Sequence, residues 1–131
     1  MATVKDIIRE YVGDPNARSA METIWLITTD MISGPSSASS VANSVAAFMT
    51  ELPDNPFWQK FGPAVIPQVS TIAIMAVEYH KMSDSKPAAA AVLRSVMASV
   101  ALACIVSLFS ECNTKKSLPE FITRLMAEVG S

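Results

Sequence analysis

Two long stretches of the chain carry no charge: residues 61–77 and residues 95–110. Runs of that kind have few options. They can cross a bilayer, which takes about 17–25 residues of helix, or they can form the buried helices of a core in water. Both runs lie near the lower limit for a span. A membrane hairpin with residues 80–86 as its polar turn is one arrangement they allow. Two details favour the core instead. Gln68, Thr71, Met75 and Glu78 fall along one edge of the helix that carries the first run, as a polar seam, and Arg94 interrupts the apolar stretch that leads into the second. The flanking segments are amphipathic, as expected of helices that wrap a central pair. Membrane contact is therefore the less favoured reading.

The rest of the chain also reads as helix. Apolar spacing predicts six helices, at about residues 4–12, 15–32, 37–52, 63–82, 86–110 and 118–129. Val4, Ile7, Ile8 and Tyr11 form one face of the first, with Thr3 and Asp6 as a capping box. Asp14 and Pro15 open the second. The third begins in a serine-rich stretch that could pass for a linker, yet Val41, Val45, Phe48 and Met49 keep helical spacing. Asn55 and Pro56 read as the cap and first residue of a short separate turn carrying Phe57, Trp58 and Phe61, and Gly62-Pro63 separates it from the fourth helix, which begins at Pro63 or Pro67. Asp84 or Ser85 is expected to cap the fifth, and Ser117 with Glu120 the sixth. Glycines 13, 34, 62 and 130 all read as helix boundaries. The expected fold class is all-α: one domain over residues 1–131, a bundle of about six helices with the two apolar helices, about 63–82 and 86–110, at its centre.

Composition narrows function by exclusion. The apolar fraction is 50% and the net charge −2, so a 14.0 kDa domain should leave some apolar side chains exposed. The bases do not cluster, and Lys115-Lys116 is the one adjacent pair, so no nucleic-acid footprint is visible. The acids are equally scattered, which argues against DNA mimicry. Cys104 and Cys112, eight residues apart on one helix, would sit about 12 Å apart, beyond disulfide reach. Charges at Lys5, Asp6, Arg9 and Glu10 do not suit a signal peptide. A reducing, cytoplasmic location is the simplest expectation.

Catalytic signatures are missing as well. His80 is the one histidine; Asp84, four residues on, could bond it if the helix continued. No HExxH, ExxH or CxxC is present, and His80 reads as a surface or capping residue rather than a haem ligand. Cys104 lies within an apolar helix and reads as inert core. Cys112 has no histidine adjacent in sequence. The serines and glycine of residues 33–37 could hold an anion at a helix start, but a capping role explains them. No enzyme activity, metal or cofactor is expected.

Two features suggest a partner. Phe57, Trp58 and Phe61 crowd five residues, either plugging one end of the core or anchoring another protein. Ala91, Ser95, Ser99, Ala103 and Ser107 are small residues spaced strictly by four. They suit a close helix crossing, first within the domain and second between copies of the chain. The expected function is a non-catalytic helical interaction or assembly module whose protein partner is a second copy of itself, bound through Phe57, Trp58, Phe61, Ser95 and Ser99. The alternatives are an apolar-ligand or lipid-binding module, with a pocket between the fourth and fifth helices, and a membrane-associated hairpin.

Overall fold

A computed structural model describes residues 3–33, 38–111 and 118–130. Six α-helices and one short 3-10 turn (Leu52–Asp54) make up the described chain: α1 Val4–Tyr11, α2 Pro15–Ser33, α3 Ala38–Glu51, α4 Pro56–Met82, α5 Pro87–Ser110 and α6 Leu118–Gly130. The fold is an all-α bundle. Asn113 and Ser117, read above as a helix stop and a cap, lie outside the described residues, as do Gly34, Cys112 and the Lys115-Lys116 pair.

Local chemistry sets most helix ends. The Thr3–Asp6 capping box forms with both reciprocal bonds. Asp14 accepts from the Asn16 amide at 2.9 Å at the start of α2. Asn55 accepts from the amides of Phe57 and Trp58, at 2.9 and 3.4 Å, and Pro56 supplies a first residue that has no N–H to satisfy.

From that cap α4 runs without a break through Pro63 and Pro67. The expected separate turn and the boundary at Gly62 are thus corrected: the turn is the start of α4, and Gly62 is buried inside it. The physical reason is where the prolines fall. They lie four residues apart on the exposed side. Each removes an amide that would have bonded the carbonyl four residues back, at Gln59 and Pro63, which are also exposed positions. Water can satisfy carbonyls on that side, so the helix tolerates both losses. The α5 cap is also corrected. Lys86, without a side-chain cap bond, occupies the position, because Asp84 and Ser85 lie within the turn that Lys86 closes by donating to the Met82 carbonyl at 2.8 Å.

Helices α2, α4 and α5 pack on one another at the centre. The two apolar helices therefore share the centre with α2. Helix α3 lies on α2 and α4, pinned where Phe48 meets Trp58 edge to face at 4.9 Å. Helices α1 and α6 pair and cover α2 and α5 respectively. Phe121 of α6 stacks on Phe109 of α5 at 3.9 Å and takes the edge of Tyr11 at 5.6 Å. Arg124 joins α6 to α1 through Glu10 and the Tyr11 hydroxyl. Among the described residues, no helix covers the remaining side of α5.

Candidate functional site

Helix α5 is apolar almost all round, and only part of it is buried. Its inward side is Met97, Ala101, Cys104, Ile105, Leu108 and Phe109. Its outward side carries Val92, 65% exposed, and Val96, 42% exposed. All five small residues of the four-residue stripe are exposed. The internal crossing expected of them is therefore not found: α5 buries Ala90, Met97, Ala101, Cys104, Ile105, Leu108 and Phe109 against its neighbours instead.

The stripe winds. Each step of four residues advances about 40° around a 3.6-residue helix, so the five positions sweep about 160°. Ala91, Ser95 and Ser99 border a cleft toward α2; Ser95, Ser99 and Ala103 lie on the outer face; Ala103 and Ser107 reach a groove beside α4. The serines add little polarity to this surface. Ser95 donates to the Ala91 carbonyl at 3.2 Å and Ser99 to the Ser95 carbonyl at 2.9 Å, so their hydroxyl protons are spent on their own helix.

The other predicted partner residues separate. Phe61 is half-buried and lines the α4–α5 groove together with Ala103, so it reaches the edge of the same face. Phe57 is half-buried against Phe61, with ring centroids 4.8 Å apart. Trp58 is fully buried against Phe48 and presents nothing to the surface. Helical periodicity separates Trp58 from its neighbours, and the separate-turn reading concealed that periodicity. Val92 and Val96 were missed for the opposite reason. In a helix apolar on every side, no period marks which side is left uncovered.

The α4–α5 groove, about 230 Å³, is where an apolar pocket was expected. The larger opening, about 1030 Å³, lies instead between α2 and α5, with α1 and α6 at its end. Cys104 lines the smaller groove and is itself buried; burial pushes its thiol up to about 11, which leaves it unreactive near neutral pH.

His80 has a structural partner. Its Nε2 lies 2.6 Å from the Met31 carbonyl and must donate, since a carbonyl can only accept. Met31 is in the last turn of α2, where carbonyls lack partners within the helix. The bond thus ties the ends of α2 and α4 together, and the pairing with Asp84 is replaced by it: α4 stops at Met82, before Asp84 could come alongside. Ser33, part of the suggested anion site, donates to the Thr29 carbonyl at 2.6 Å, and the rest of that segment is outside the described residues. Among the described residues, no three side chains of His, Cys, Asp or Glu come together to hold a metal. By length and composition, α4 and α5 are each able to cross a membrane. Compared with family models, curated proteins and solved structures, the chain matches none of them.

Proposed function

We propose that this chain is a non-catalytic helical assembly module of the cytoplasm, which self-associates through the outer face of α5. The observation that carries the reading is the exposure of the whole small-residue stripe beside Val92 and Val96. Side chains four apart form ridges inclined by about 26° to a helix axis, and two such ridges interdigitate at a crossing of about −50°. A second α5 crossing near Ser99 would meet Ser95, Ser99 and Ala103 and diverge from the ends of the stripe. A two-fold axis there makes the contact self-complementary.

Charge favours an antiparallel pair. Lys86 sits at the N-terminal cap of α5 and Glu111 at its C-terminal cap, both exposed and each at the end where the helix dipole opposes it. An antiparallel copy turns each toward the opposite charge and the opposite dipole end of its partner.

Light scattering on the size-exclusion peak tests this directly. The chain is expected to run as a dimer in detergent-free buffer, and Val96→Glu, at an exposed position, is expected to run as a monomer with unchanged helix content. A wild-type monomer at tens of micromolar would rule out self-association. The span-length helices α4 and α5 support a second reading, a membrane-associated hairpin. Full recovery in the soluble fraction without detergent would remove it.

A further inference from the structure

The cleft between α2 and α5 has the size of a ligand site; it meets the outer face of α5 at Ser95 and Ser99 and extends from there toward α2. Its volume of about 1030 Å³ is at the upper end of small-molecule pockets, which run to about 1,000 Å³. It exists because α5 faces α2 with alanines: Ala90, Ala91 and Ala98 stand where larger side chains would close the gap. Across from them, α2 contributes Trp25 and Ile32, both half-buried. Thr28 also lines the cleft, but its hydroxyl donates to the Ile24 carbonyl at 2.9 Å, so it offers the interior no free proton.

The cleft has a mixed lining, with Thr29, Ser33, Tyr79, Ser83, Ser95 and Ser99 beside its apolar residues, and one cation stands among them. Arg94 is the single charge in α5, lines the cleft and is exposed. Among the described residues it makes no ion pair; the three pairs found there join Arg9 to Glu22, Lys81 to Glu78 and Arg124 to Glu10. A guanidinium in water at the rim of such a cleft suits a ligand with an apolar body and a planar anionic head, because its fork of N–H donors matches a carboxylate in two places. Glu128 also lines the cleft, which favours a monoanion over a dianion such as a phosphate ester.

We propose that this cleft binds a free long-chain carboxylate, with the acyl chain between α2 and the alanines of α5 and the head on Arg94. The test uses the full chain and cis-parinaric acid, a fluorescent long-chain carboxylate, excited by energy transfer from Trp25. Saturable binding is expected, with displacement by hexadecanoate. Shorter saturated acids should compete less well, by up to about fourfold per methylene removed. Arg94→Gln is expected to weaken the acid about tenfold while leaving methyl hexadecanoate unchanged, since a charge-assisted hydrogen bond is lost. Ala98→Phe is expected to fill the cleft and abolish binding of both. Arg94 is exposed, so its replacement should keep the fold intact even if Ala98→Phe does not. Absence of saturable binding would overturn the proposal. So would equal affinity of wild type and Arg94→Gln for the acid. Uptake of the probe only with phosphatidylcholine vesicles present, undiminished in Ala98→Phe, would assign the signal to a membrane surface and overturn it too.

Discussion

Among the described residues Trp58 is the largest side chain sealed inside the molecule, and its indole N–H has no hydrogen-bond partner among them. Those two facts pull in opposite directions. Burying the rings stabilises; an unmet buried donor costs about 1–3 kcal/mol. Trp58→Phe keeps a ring against Phe48 and removes the unmet donor, so its loss should be under half that of Trp58→Ala, which is expected to cost about 3–5 kcal/mol. Urea midpoints of the two variants check this. Cys104 gives a prediction in pH. Burial raises its thiol from 9.0 to about 11, so the unfolded chain loses this proton first as pH rises. Between those values the folded state holds more protons, and stability falls with increasing pH; below about 9 the contribution is fully present. Cys104→Ala should therefore show a smaller drop in urea midpoint than wild type between about pH 8 and 10.5. At this scale the sequence marked Cys104 as core from its apolar neighbours. For Trp58 it offered a core plug or a partner anchor, and it did not separate Trp58 from Phe57 and Phe61, because a residue among prolines and a glycine carries no visible period unless the helix is known to continue.

Helix α4 shows how an element survives signals that usually end one. Asn55 and Pro56 nucleate its start, and Pro63 and Pro67 fall on the wet side, where freed carbonyls find water. A proline inside a helix costs about 3 kcal/mol, and the stiffer unfolded chain returns up to about 1 kcal/mol. Pro63→Ala and Pro67→Ala should each stabilise the fold by about 1–2 kcal/mol, read as a higher Tm in thermal melts followed by circular dichroism. A fall in Tm for both would mean that the prolines shape α4 for its neighbours rather than being merely tolerated. The His80–Met31 bond belongs to the same scale. It satisfies a carbonyl at the end of α2 from a residue 49 positions away. No local pattern could reveal that pairing.

The molecule exposes 7166 Å², against about 6,700 Å² expected for a compact monomer of 14.0 kDa. The chain is therefore closely folded, and its high apolar content appears in the character of its surface: Ile74, Val92 and Met126 are each at least 65% exposed. If the outer face of α5 pairs with a second copy, unfolding is linked to dissociation. The apparent Tm should then rise with protein concentration by mass action, and in Val96→Glu it should not. Differential scanning calorimetry over a hundredfold concentration range distinguishes the two. A wild-type Tm independent of concentration would argue against the dimer.

The sequence by itself determined the all-α class, the capping of α1, α2 and α4, and which helices are apolar enough to sit at the centre. Each of these rests on residues close together in the chain, through spacing of apolar positions or a side chain reaching a nearby amide. Tertiary structure alone decided which side of α5 stays uncovered, that the larger opening lies against α2 rather than α4, and that Trp58 turns inward while Phe61 reaches the rim. Those outcomes depend on which helices pack together, and a helix apolar on every side gives no local signal of where its neighbours will be.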